Sequence, residues 1–157
     1  MKATPLAALA AMMMLAGGTL AAEAPAPASP AFDEALAEAL GADEYGMRQY
    51  VLVILKTGPT PMPAGAERDE MFRGHFANMK RLAADGKLAL AGPLDGVDGW
   101  RGLFVLAVDD LEEAAALVAT DPVVMHGEMV AEYHQYYGSA ALMLVNEAHA
   151  KVAKKSF

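Results

Sequence analysis

Tyr50-Val-Leu-Val-Ile-Leu55 and Leu103-Phe-Val-Leu-Ala-Val108 are two six-residue apolar runs, the first rich in β-branched side chains. Runs this short, with no polar residue at alternate places, read as strands buried on both faces. The Pro/Gly-rich loop Thr57–Ala66 leaves the first run. From about Glu67 to Asp85, Met71, Phe72, His75, Phe76, Met79, Leu82 and Ala83 then share one helical stripe, opposite Arg73, Lys80 and Arg81. Gly86 ends that helix. Lys87–Ala91 is a second strand, and Gly92–Gly99 a long hairpin loop into the second apolar run. Asp109 or Asp110 caps another helix, whose face carries Leu111, Ala114, Ala115 and Val118. In the last strand, about Glu128 to Tyr137, Met129, Ala131, Tyr133, Gln135 and Tyr137 alternate with Val130, Glu132, His134 and Tyr136.

The resulting order, βαββαβ, predicts an α+β, ferredoxin-like sheet of the split βαβ kind with the two apolar runs as its central strands. Crossovers of one hand put both helices on one face. The other face of the central strands is then apolar and needs a cover. A second copy docked sheet to sheet is the economical one, so the pattern predicts a homodimer. The stretch from Ala140 to Lys155 reads as a further helix ending in cations, which adds to that cover.

The flanks are of other kinds. Met1 to about Ala22 reads as a secretory signal peptide: Lys2 before an apolar Leu6–Ala16 core, then small residues with cleavage expected after Ala21 or Ala22. Glu23–Pro30 is an Ala/Pro linker. Ser29-Pro30 reads as the N-cap and first residue of a short amphipathic helix at about 31–40, carrying Phe32, Leu36 and Leu40 and stopped by Gly41. The chain thus divides into a signal at 1–22, a linker at 23–30, an N-terminal helix and connector at 31–46, a domain at 47–138 and a helical tail at 139–157. A periplasmic or secreted location follows, with no membrane association after cleavage.

Composition removes whole classes of function. Of 157 residues, 12 are Lys or Arg and 20 Asp or Glu, a net charge of −8, so there is no basic footprint for nucleic acid. With no cysteine there are no disulfides, thiolate metal sites or Cys nucleophiles. No GxGxxG, Walker, HExxH or GxSxG sequence occurs, so nucleotide binding, zinc hydrolysis and serine hydrolysis have no support. His126, His134 and His149 lack ligand spacing, and no metal or cofactor is expected.

Tyr50–Leu55, His75 on the first long helix, Leu88-Ala-Leu-Ala-Gly92-Pro93 and Asp121-Pro122 after the second, in this order, resemble the YCII-related (YciI-like) proteins. The resemblance covers about Met47 to Tyr137. It implies a dimeric α/β-barrel arrangement, with a His75–Asp121 pair in a pocket between helices and sheet. It also implies cofactor-free lyase or dehydrochlorinase chemistry on ring compounds; related dimeric barrels imply monooxygenase or haem-binding uses. The signal peptide and the two terminal helices depart from the minimal family unit.

The residues themselves leave two readings open. His75 lies on the buried stripe, where a titratable ring is costly unless satisfied. It reads either as a neutral core histidine bonded to a carbonyl or as a general base beside a carboxylate. Asp121 reads as that carboxylate, or as the N-cap of a short turn Pro122–His126 closed by Gly127; its two oxygens allow both at once. Gly92 and Pro93 shape the end of the second strand beside the pocket. Trp100 and Arg101, with Asp95 and Asp98, are placed at its rim, Arg101 as a holder of a substrate carboxylate or as a solvated side chain. The expected function is an acid–base enzyme acting on a small, cyclic or carboxylated molecule; the alternative is a non-catalytic binding or interaction module with the same pocket.

Overall fold

A computed structural model describes residues 31–155. The expected signal peptide and linker lie outside the described residues. The chain follows α1 (Glu34–Leu40), β1 (Met47–Thr57), α2 (Ala66–Ala84), β2 (Leu88–Pro93), β3 (Trp100–Leu106), α3 (Leu111–Val118), α4 (Pro122–Met125), β4 (Met129–Ser139) and α5 (Val145–Val152). The sheet order is β2-β3-β1-β4 with every pair antiparallel, which is the ferredoxin-like α+β arrangement. β1 and β3 are central because their side chains find apolar neighbours on both faces. Val51, Val53, Leu55, Phe104 and Leu106 face the helices, packed with Met71, Leu82, Ala114 and Val118. Tyr50 and Val105 face the other way.

The tail covers part of that second face. The segment after β4 does not continue as one helix. It makes a 3-10 turn over Ala140–Leu144 before α5 begins, and Leu142 and Met143 pack on Tyr50, Ala89, Val105 and Ala107. The tail therefore covers the β2–β3 side of this face within one chain. Asn146 holds it in place, its Nδ2 donating to the carbonyl of Leu88 at 2.7 Å. On the β4 side, Val130 and Tyr136 stay partly exposed.

Boundaries shift where a local hydrogen bond outranks the pattern. The first helix starts at Glu34 and is capped by Asp33, whose carboxylate accepts from the Leu36 N–H at 3.0 Å, rather than by Ser29. Asp110 caps α3 in the same way. β3 begins at Trp100, three residues before the apolar run, because it pairs with the ends of both β1 and β2. A bulge accompanies this extension: Leu55 pairs with Gly102 but Lys56 with Trp100, leaving Arg101 as the extra residue.

The approach of α4 to α2 depends on a missing side chain. A Cβ on Gly74 would stand 2.9 Å from Cγ of Pro122. Glycine inside a helix costs about 1 kcal/mol relative to alanine, so Gly74→Ala should stabilise a free helix. Here we expect the reverse. Overpacking costs about 1–3 kcal/mol, and thermal unfolding of Gly74→Ala should show a lower Tm than the native chain; a higher Tm would mean that α4 moves away without penalty.

Candidate functional site

α2 places His75 on its buried stripe, and the turn after α3 places Asp121 beneath it. Nδ1 of His75 lies 2.9 and 2.8 Å from Oδ1 and Oδ2 of Asp121, which is fully buried. Oδ1 also accepts from the Val123 N–H at 3.1 Å, so the same carboxylate caps α4. With the carboxylate as acceptor, Nδ1 is the donor and the lone pair of the ring falls on Nε2.

A second polar layer lies behind the pair. Asn78, one helical turn along from His75 and also buried, directs Nδ2 toward Asp121 Oδ2 at 3.5 Å. Its Oδ1 accepts from Arg81 Nη2 at 2.8 Å and from Thr120 Oγ1 at 3.2 Å. Those donors fix the amide with its NH2 toward the carboxylate. Arg81, expected on the solvent side of the helix, thus reaches back to the site. Asn78 was legible in principle, because it sits three residues after His75 and four before Leu82 on one stripe.

In front of the pair is a cavity of about 440 Å³, between α2 and the helix side of β1, β2 and β3. Aromatic rings surround the imidazole. Phe104 lies nearly parallel to it at a centroid distance of 6.0 Å, Phe76 is at 5.3 Å, and Phe72 meets it edge-on at 6.0 Å. Among the described lining residues only His75 and Arg101 are ionisable. Gly92 and Pro93 are among the residues that line the cavity.

Trp100 does not. The bulge sets it opposite Lys56 on the other face of the sheet, where it is 41% exposed, and turns Arg101 inward in its place. Asp95 and Asp98, in the loop before β3, are likewise not among the lining residues.

Arg101 is paired with a residue that no sequence pattern singles out. Glu128, at the entry to β4, is almost fully buried; its Oε1 is 3.0 Å from Arg68 Nη2 and 3.6 Å from Arg101 Nη2, and its Oε2 accepts from the Met62 N–H at 2.6 Å. The Arg68 guanidinium also lies over the ring of Phe72, 4.6 Å from its centroid. Gly58 makes this junction possible, since a Cβ there would stand 2.1 Å from the carbonyl oxygen of Gly127. Among the described residues no group of three or more His, Asp or Glu is placed to hold a metal ion. His134 instead contacts Glu132 at 2.8 Å on the outer sheet face.

Burial pushes the Glu128 carboxyl up, but the Met62 N–H and the two guanidinium groups outweigh it and leave it below its ordinary value. A carboxyl depressed in the folded state contributes stability that is present above its unfolded pKa and lost as pH falls through the native one. Chemical denaturation should therefore show stability falling below about pH 4.3, the ordinary glutamate value, and Glu128→Gln should flatten that slope. An unchanged slope would remove Glu128 from the acid response.

The chain is similar to known proteins in three respects. The YCII-related domain model matches residues 49–134, more than half of the chain. The uncharacterized protein YjpA of Bacillus subtilis (strain 168) is 38% identical over 58 residues, which are 37% of this chain and 66% of YjpA. The solved structure of 5-chloro-2-hydroxyhydroquinone dehydrochlorinase (TftG) from Burkholderia phenoliruptrix AC1100, in complex with 2,5-dihydroxybenzoquinone, aligns at 18% identity over 55% of this chain and 92% of that one, with a TM-score of 0.40. On the match that spans β1 to β4, together with the sheet order described above, the chain belongs to the YCII-related domain family.

Proposed function

We propose that the cavity binds a small cyclic or carboxylated molecule and that His75 moves a proton on it without a cofactor. One observation carries the reading: an imidazole whose Nδ1 is committed to a buried carboxylate, in the wall of an apolar cavity that holds one other ionisable group. Nε2 is then the free base, Asp121 fixes the tautomer and stabilises the imidazolium once it forms, and Arg101 draws in an anionic group on the ligand. In an elimination, Nε2 takes a proton from a ring hydroxyl. On a halogenated hydroquinone the imidazolium returns that proton to the ring carbon that bears the halogen, making it tetrahedral; Nε2 then takes a second hydroxyl proton, whose electron pair forms a C=O bond and shifts the ring π bond as the carbon–halogen bond breaks and halide departs. Halogenated hydroquinones are the first probes, because the family resemblance implies dehydrochlorinase chemistry.

With such a substrate, His75→Gln should lower halide release by about 10²–10⁴-fold while ligand affinity stays within a few-fold. Tight binding with no halide release by the native chain would make it a binding module. Loss of folding together with binding in His75→Gln would make His75 a core residue.

We also infer a homodimer that buries the outer sheet face. On the β4 side of that face Val130 is 43% and Tyr136 37% exposed, and Trp100, across Lys56 from Val130, is 41% exposed. Light scattering at micromolar concentration should give the dimer mass, and Val130→Glu the monomer mass; a monomeric native chain overturns the inference. The protein acts, on this reading, after export, and a mature N-terminus at Ala22 or Glu23 by mass spectrometry is the matching result.

A further inference from the structure

A second cavity, of about 520 Å³, lies between α2, β2 and α5. Its walls are apolar, built from Ala83, Leu88, Leu90, Val145 and Ala150 among others. Among the described residues its polar margin is made of Lys80, Asn146, His149, Lys154 and Lys155, with no aspartate or glutamate. In a chain of net charge −8 this is a local reversal of sign. Asn146 belongs to the frame, since its bond to the Leu88 carbonyl ties α5 to the sheet edge. Met79 and Ala91 line this cavity and the His75 cavity alike, so one layer of side chains divides them.

The chemistry of the lining selects its ligand. Apolar walls favour a hydrocarbon body, which leaves water at about 25 cal/mol per Å². The lysines favour a negative head that stays at the margin, where it keeps part of its hydration. A compact, multiply charged anion has no use for the walls, and a neutral hydrocarbon none for the lysines. The volume falls within the range of about 300–1,000 Å³ common for small-molecule sites.

We propose that this groove is a binding site for an aliphatic monocarboxylate, separate from the His75 cavity, with Met79 as the partition between them. The inference does not rest on proton transfer by His75, and its readout is binding alone.

The test is calorimetric titration of decanoate into the full chain, with decyltrimethylammonium as the probe of the same body and opposite charge. The native chain should bind one decanoate and bind the ammonium more weakly. Ala150→Trp fills the groove from an exposed position on α5 and should abolish binding. Lys154→Glu with Lys155→Glu, also at exposed positions, should weaken it by about tenfold or more, equivalent to about 1.4 kcal/mol. His75→Gln should leave it unchanged. The proposal is overturned by no binding at millimolar decanoate, by equal affinity for the ammonium, by binding that survives Ala150→Trp, or by binding lost in a His75→Gln chain that circular dichroism shows to be folded.

Discussion

The site depends on one buried carboxylate being satisfied. Asp121 is removed from water, where an unpaired charge costs several kcal/mol, and its oxygens are engaged by the His75 ring, the Val123 amide and, more distantly, Asn78. Those donors come from two separate stretches of chain. The approach of α4 to α2, the placement of Gly74 and the layer of Asn78, Arg81 and Thr120 all serve to bring them together. The contact that orients the imidazole also sets where α4 begins, so local structure and chemical capability share one group of atoms.

Around this pair the cavity is mostly aromatic and aliphatic, which leaves the imidazole and the Arg101 guanidinium as its ionisable groups. Glu128 balances the guanidinium from behind, while Arg68 joins the same carboxylate to the Phe72 wall. The two buried carboxylates thus have parallel tasks. Each holds a nitrogen base or cation by its inner side and leaves the outer side toward the cavity.

Much of this was legible in the sequence, for definite reasons. The two apolar runs identify the central strands because burial on both faces excludes polar alternation, and helical spacing puts His75 on the inner stripe of α2. Asp121 was legible as a cap from the proline that follows it. Other features depend on atoms far apart in the chain. Glu128 reads as an ordinary strand-entry acid until Met62 and Arg68 arrive 60 residues or more away in sequence. The tail read as one helix because a 3-10 turn and a helix have similar composition. Arg81 was assigned by polarity alone, and Asn78 drew no reading, because polarity is blind to a side chain that finds its partners on a buried stripe.

The bulge at Arg101 has a consequence for how such a cavity changes between descendants of one ancestor. Two side chains as unlike as guanidinium and indole stand next to each other, and which of them looks inward is decided by pairing, not by residue type. Deleting one residue at this corner, or inserting one opposite it, would exchange a positive charge for a flat neutral ring without altering any other lining position. Ligand preference at this wall can therefore jump by an insertion or deletion as well as by replacement of Arg101 itself.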